Sequence, residues 1–263
     1  MPASALMNVM TNAARKASRR LIRDFNEVEQ LQVSVKGPSD FVSQADLACE
    51  KTLYEELSKA REGYGFLMEE QGTVQGADKT HRWIIDPLDG TTNFLHGIPL
   101  FAISIALERE GELVAGIIYN PAMDEIFTAE RGKGAFLNDR RIRVAGRKYL
   151  SECVTVTGIP HRGKSGHEQM INEQRAIMRE ASGVRRTGSA ALDLAWTAAG
   201  RFDAYWERNL QAWDVAAGIL LVREAGGMVT DLEGGNTMLE TGDILAANTP
   251  IHKAMAKVLN QAD

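Results

Sequence analysis

Two carboxylates three positions apart stand where an apolar run stops. Trp83-Ile84-Ile85 leads straight into Asp86-Pro87-Leu88-Asp89-Gly90-Thr91-Thr92-Asn93. The run is short and bounded by polar residues, which predicts a buried strand. Pro87 has no N–H to donate, so strand pairing is expected to end at Asp86. Gly90 permits a backbone conformation that other residues resist, and Thr91 and Thr92 suit the start of a helix. A strand that delivers two acids into a turn before a helix N-terminus makes a place for a divalent cation beside a place for a phosphate. Two like charges held close beside a buried strand are unfavourable unless a cation compensates them. Hard oxygen ligands, with five histidines scattered and in no HExxH pattern, favour Mg2+ over zinc.

Two further acids sit at the ends of expected elements. Glu69 follows the apolar run Phe66-Leu67-Met68, and Asp214 follows Trp213 and opens a helix over 215–225. Any one of these acids alone reads as a solvated surface residue; the Asp86/Asp89 pair is different. Carboxylate-held metal ions activate water and stabilise a leaving oxygen in phosphoryl displacement. Backbone N–H groups at Gly90 and Thr91 would hold the phosphate oxygens. The chemistry this points to is metal-assisted hydrolysis of a phosphate ester. A rival, a phosphatase with an aspartyl nucleophile, uses two aspartates separated by one residue; here Pro87 and Leu88 both intervene.

The elements that must position these residues can be read from periodicity. Leu6, Val9, Met10, Ala13, Ala17, Leu21 and Ile22 recur at helical spacing, predicting an amphipathic first helix. Its Arg-rich composition, with no acid before Asp24, would also suit a transit peptide. A short strand is expected over 31–35, turn chemistry over 36–40, and a helix capped by Ser43 and running to about 60. Asp46 would then lie in that helix's first turn, where the macrodipole favours an anion. Two strands over 101–107 and 113–119 form a hairpin, with a further turn at 120–124 and hairpin geometry around Gly132 and Gly134. The G-x-G there lacks the third glycine and following helix of a dinucleotide site. From about residue 151 the texture changes. Strands over 153–157, 203–206, 228–230 and 244–247 alternate with helices over 167–181, 190–199, 213–225 and 250–261, with Gly226-Gly227 as a C-terminal cap. The first half, 1–150, reads as α+β and the second, 151–263, as α/β.

Composition bounds the rest. The chain has 263 residues, 25% charged and 44% apolar, the balance of a globular protein. A net charge of -5 argues against a general nucleic-acid-binding surface. Cys49 and Cys153 are far apart and fit no zinc or redox motif, which suits a reducing cytoplasm. No apolar run approaches the ~20 residues of a membrane helix.

The ordered set of segments resembles the inositol monophosphatase family of Mg2+-dependent, lithium-sensitive phosphatases, and in particular its bacterial extragenic-suppressor type. Trp83 to Asn93 is similar to that family's first signature. Trp213-Asp214-Val215-Ala216-Ala217-Gly218, continuing to Arg223-Glu224-Ala225-Gly226-Gly227, is similar to its second. Lys36 with Asp40-Phe41-Val42 and Asp46 resembles its N-terminal segment, and Arg186-Thr187-Gly188-Ser189-Ala190-Ala191 its substrate loop. The resemblance implies an αβαβα sandwich of the sugar-phosphatase kind, with an N-terminal antiparallel sheet and a C-terminal mixed sheet. It implies that Glu69, Asp86 and the Leu88 carbonyl hold one Mg2+, and that Asp86, Asp89 and Asp214 hold a second, with Glu69 near a third. Thr91 paired with Asp46 would orient and deprotonate the attacking water, and Gly90 and Thr91 N–H groups would contact the phosphate. Asp89, Ala190 and Glu207 would contact substrate hydroxyls, with Gly188 and Ser189 lining the same wall. Met68 stands where the family usually has Gly and Gln71 where it has Ser; neither removes a ligand. The loop 208–212 differs from animal members. Inositol 1-phosphate is the expected substrate, with histidinol phosphate or another sugar or nucleotide phosphate as the alternative. Li+ and Ca2+ are expected inhibitors, and a cytoplasmic homodimer is expected. Suppressor-type relatives are associated with RNA polymerase and ribosomal RNA transcription complexes, so a regulatory binding role is the alternative of another class.

Overall fold

The computed structural model describes the backbone of residues 4–31, 38–160 and 165–262, and the side chains of these apart from 28–43. The chain opens with α1 (Ala5–Leu31) and α2 (Pro38–Ala60). Strands β1 (Gly65–Met68), β2 (Gly72–Val74) and β3 (His81–Asp89) lead into the short α3 (Thr91–Leu95). A meander follows: β4 (Ala102–Arg109), β5 (Glu112–Asn120), β6 (Glu125–Glu130), β7 (Gly134–Leu137) and β8 (Arg140–Arg141). Beyond it come β9 (Val154–Thr157), α4 (His167–Glu180), β10 (Gly183–Arg185), α5 (Ala190–Ala198) and β11 (Ala204–Glu207). The chain closes with α6 (Ala212–Glu224), β12 (Met228–Thr230), α7 (Met238–Thr241), β13 (Ile244–Ala247) and α8 (Thr249–Leu259).

An eight-stranded sheet runs in the order β2-β1-β3-β4-β5-β6-β7-β8, and a five-stranded one in the order β10-β9-β11-β13-β12. The large sheet is antiparallel except where β1 joins β3; the small one is mixed. Helices α1 and α2 cover one face of the large sheet, α5 and α6 lie between the two sheets, and α4 and α8 cover the far face of the small one. This is the expected five-layer αβαβα sandwich. Three apolar clusters fill the spaces between layers. Both faces of β3 are buried: Ile84 packs towards α5 and α6, Trp83 and Ile85 towards α1 and α2. That is why the run reads as continuously apolar rather than alternating. Among the described residues, no helix is long and apolar enough to cross a membrane.

Several local expectations are corrected. Strand pairing does not end at Asp86. β3 pairs with β4 through Asp86 opposite Ser104 and resumes at Asp89 opposite Ala102, with Pro87 and Leu88 forming a bulge. A bulge absorbs the proline's missing donor without ending the ladder. Leu31 closes α1 rather than opening a strand, and 32–37 lie outside the described residues. Residues 38–40 form the first turn of α2 rather than a turn before it, because proline fits the start of a helix. Ser43 is therefore inside α2 and is not its cap. Asp46 lies well beyond the first turn, so the macrodipole does not explain its position.

Candidate active site

The β3 bulge sets the geometry of the centre. Asp86 Oδ1 accepts the Leu88 N–H at 2.9 Å, folding the carboxylate back over the bulge. The Thr91 hydroxyl donates to the Leu88 carbonyl at 3.0 Å. Gly90 has φ 92°, and a Cβ there would lie 2.7 Å from the Leu100 carbonyl oxygen, so the turn between Asp89 and α3 accepts no side chain. The neighbouring β1 ends at Met68, and the Glu69 N–H donates to the Ile85 carbonyl at 3.3 Å, which sets Glu69 beside Asp86. Asp214 arrives from the start of α6, where its Oδ2 accepts the Gln211 N–H at 2.7 Å. Asp46 arrives from α2.

These acids feel one another. Burial pushes the Asp86 carboxyl well above the usual range, and Glu69, Asp89 and Asp214 add to the rise. Asp86 and Glu69 also share a hydrogen bond, which requires a proton between them. Burial raises Glu69 to about 7, opposed by that bond and reinforced by Glu70 and Asp89. Asp89 rises to about 7 through burial and then Asp214. Asp46 rises to about 8 through burial, with Glu70, Glu69 and Glu50 adding repulsion, and its Oδ1 is buried with no hydrogen-bond partner. Among the described residues, no three of these side chains already stand in ligating geometry. The donor set nonetheless fits a hard cation: carboxylate oxygens from three separate chain segments, raised by burial and by one another, a shift that a bound cation opposes.

Residues of the 186–191 loop converge on Asp89. Asp89 Oδ2 accepts the Ser189 hydroxyl at 2.6 Å and the Ala191 N–H at 2.7 Å, and the Ala190 N–H also bonds this carboxylate. Ser189 caps α5, accepting the Leu192 N–H at 3.2 Å. Glu207, at the end of β11, accepts the Tyr205 hydroxyl at 2.7 Å. It rises to about 7 through burial, lowered by that bond and raised by Asp89 and Asp214. Of the expected residues, Glu69, Asp86, Asp89, Asp214 and Glu207 thus act on one another, Leu88 and Thr91 join them through the bulge, Ser189 and Ala190 through Asp89, and Gly90 and Gly188 are chain neighbours of these. Asp46 joins them through repulsion from Glu69, but the Thr91 hydroxyl is turned to Leu88 rather than to Asp46. Lys36 and the side chains of Asp40, Phe41 and Val42 lie outside the described residues.

Comparison with known proteins decides the family. The sequence profile of the inositol monophosphatase family matches residues 3–263. The chain belongs to the inositol monophosphatase family. An inositol-1-monophosphatase of Mesorhizobium japonicum is 62% identical over 261 residues, covering 99% of this chain and 98% of that protein. The Nus factor SuhB of Escherichia coli K12 is 42% identical over 250 residues, covering 95% and 94%. The crystal structure of the extragenic suppressor protein suhB from Bartonella henselae superposes with a TM-score of 0.92 at 60% identity, covering 98% of this chain and 99% of that one. Inositol monophosphatases are metal-dependent as a family, in keeping with the acid cluster.

Within this inositol monophosphatase fold, the structure adds residues that sequence reasoning missed. Glu50 is fully buried and accepts the Glu70 N–H at 2.9 Å and the Gln71 N–H at 3.0 Å, pinning the turn directly after Glu69. Its signal was present: Asp46, Glu50, Leu53 and Leu57 fall at helical spacing on one face of α2, so two acids continue an apolar stripe. The Asn93 amide donates to the Leu100 carbonyl at 2.7 Å and the Thr187 carbonyl at 2.9 Å, tying α3 to the substrate loop. Asp193 is buried beneath that loop and accepts the Thr187 hydroxyl at 2.6 Å. Gly158 faces Glu207 so closely that a Cβ would lie 1.8 Å from its Oε1. Nothing in the order of residues joins 158 to 207, or 50 to 70.

Proposed function

We propose that the protein hydrolyses phosphate monoesters with Mg2+, inositol 1-phosphate being the preferred substrate, by direct attack of water. The observation that carries this reading is the buried acid cluster of Glu69, Asp86, Asp89 and Asp214 beside the bulged turn at Gly90-Thr91. The 62% identical inositol-1-monophosphatase supports the choice of substrate.

Glu69, Asp86 and the Leu88 carbonyl would hold one ion, and Asp86, Asp89 and Asp214 a second, with Glu69 beside a third. Bound there, the ions supply Lewis acidity to the phosphate and the attacking water. Gly90 and Thr91 N–H groups would receive the phosphate oxygens. Asp46 would take the water's proton through Thr91, which asks the Thr91 hydroxyl to leave Leu88 and meet the unpartnered Asp46 Oδ1. Asp89, Ala190 and Glu207 would contact the alcohol, with Gly188 and Ser189 forming the wall beside it. A cation held there would offset the burial and mutual repulsion that raise these acids and favour their ionised forms.

The test is phosphate release from a panel of inositol, sugar, nucleotide and histidinol phosphates. Release should depend on Mg2+, fall with Li+ and Ca2+, and show its highest kcat/KM on inositol 1-phosphate. A higher value on histidinol phosphate would transfer the assignment to that ester, and Mg2+-independent turnover would remove the metal reading. A homodimer, checked by light scattering, and a cytoplasmic location belong to the same proposal. A second role in transcription complexes is favoured by the relative named Nus factor SuhB. A pull-down with the active protein that recovers no RNA polymerase counts against it.

A further inference from the structure

The loop between Glu207 and α6 consists of four residues, Arg208-Asn209-Leu210-Gln211, and joins the expected hydroxyl contact to the expected metal ligand Asp214. Its two ends are anchored separately. At the Asp214 end, Gln211 and Asp214 form a reciprocal capping box on α6, and the Ser104 hydroxyl donates to the Trp213 carbonyl at 3.2 Å. At the Glu207 end the anchor is ionic. Arg208 Nε donates to Glu173 Oε1 on α4 at 2.6 Å, and Arg208 Nη1 donates to Asp243 Oδ2 at 3.0 Å. Asp243 Oδ1 also accepts the Asn209 N–H at 3.1 Å, and the Leu210 N–H donates to the Gly242 carbonyl at 2.9 Å.

Glu173 is built for this task. Its side chain is 2% exposed, and its carboxylate also accepts Trp206 Nε1 at 3.2 Å and Gln169 Nε2 at 3.0 Å. A buried carboxylate is retained only when its oxygens are bonded and its charge is paired. Asp243 precedes Ile244, which pairs with Glu207 across the β11–β13 ladder, so the Arg208–Asp243 contact extends that ladder by one rung. The clamp and the loop border a pocket of about 70 Å³ lined by Gly158, Glu173, Glu207, Arg208 and Asn209 among others.

We propose that Arg208, clamped between Glu173 and Asp243, is a positioning residue that sets Glu207 for recognition of the substrate's alcohol, without acting on the metal-bearing end of the loop. This rests on the reading of Glu207 as a hydroxyl contact. The guanidinium fork reaches two carboxylates on two elements at once, which the point charge of lysine does not.

The test compares Arg208→Lys, Glu173→Gln and Asp243→Asn with wild type at saturating Mg2+, on inositol 1-phosphate and on p-nitrophenyl phosphate, whose alcohol offers no hydroxyl ring. KM for inositol 1-phosphate should rise roughly fivefold or more, the worth of about one hydrogen bond. The kcat values, and KM for p-nitrophenyl phosphate, should stay within about twofold. In a Glu207→Gln background the Arg208→Lys effect should vanish. Equal losses on both esters, unchanged KM in all three variants, or an undiminished effect in the Glu207→Gln background each overturn the clamp. If wild type leaves inositol 1-phosphate untouched, the substrate reading has failed. The same comparison is then made with whichever hydroxyl-bearing ester wild type turns over best, and the clamp stands or falls on that ratio. Arg208→Lys keeps the charge beside Glu173, so it reports even if Glu173→Gln does not fold.

Discussion

Replacing Gly158 with alanine isolates one contact of the site. A Cβ at 158 would stand 1.8 Å from Glu207 Oε1, 2.0 Å from Cδ and 2.3 Å from Oε2. Glu207 cannot simply swing aside, because the Tyr205 hydroxyl holds its Oε2 at 2.7 Å. Overpacking of this kind costs about 1–3 kcal/mol, and loss of the Tyr205 bond adds about 1–2 kcal/mol. The backbone at 158 is not in the left-handed region, so alanine also stiffens the unfolded chain and returns about 0.4–1 kcal/mol. The net expectation is about 2–4 kcal/mol of destabilisation. For a chain of this size that is a fall in Tm of about 5–15 °C. Thermal melts of Gly158→Ala, Glu207→Ala and the double variant, all with chelator, measure it. In the Glu207→Ala background the new methyl meets the space the carboxylate left, so a coupling of about 2 kcal/mol should appear. A single variant that melts with wild type, or a penalty of the same size with Glu207 removed, refutes the reasoning.

Other outcomes follow from the acid cluster. Asp86→Asn and Asp89→Asn should each abolish Mg2+-dependent phosphate release while the fold is retained; circular dichroism checks the fold, and undiminished release would sink the ligand assignment. Glu50→Gln should raise the Mg2+ concentration for half-maximal activity by roughly 10–100-fold, the usual effect of losing a group that orients a ligand, and unchanged Mg2+ dependence would remove its positioning role. The metal-free protein should lose stability with rising pH. Asp46 is raised to about 8, and Glu69, Asp89 and Glu207 to about 7, so each holds in the folded state a proton that the unfolded chain gives up near pH 4. Their contribution is whole below about pH 4 and is lost as pH rises through 7 to 8. Tm in chelator should therefore fall from pH 5 to 9, and Mg2+ should flatten the fall; a metal-free Tm that climbs over this range contradicts the cluster.

What the sequence by itself determined was local and repetitive. The apolar run into Asp86 gave a buried strand, the α1 periodicity gave its helix, and the alternation after residue 151 gave four strands of the small sheet and four helices within a few residues, but not the edge strand β10 or the short α7. The quoted segments gave the family and the acids at the centre, because metal and phosphate chemistry needs particular side chains at fixed short spacings. Local rules failed where a distant partner overrode them. Pro87 was expected to end β3, yet β4 continues alongside and a bulge takes up the proline. Ser43, by contrast, yields to another local signal, since α2 starts five residues earlier at Pro38. Only the tertiary structure decided that Glu50 pins the turn after Glu69, that Asp89 accepts bonds from the start of α5, and that Glu173 and Asp243 grip Arg208. Those contacts join residues tens of positions apart, and no spacing rule reaches them: they exist because two sheets and the helices between them bring separate chain segments to one point.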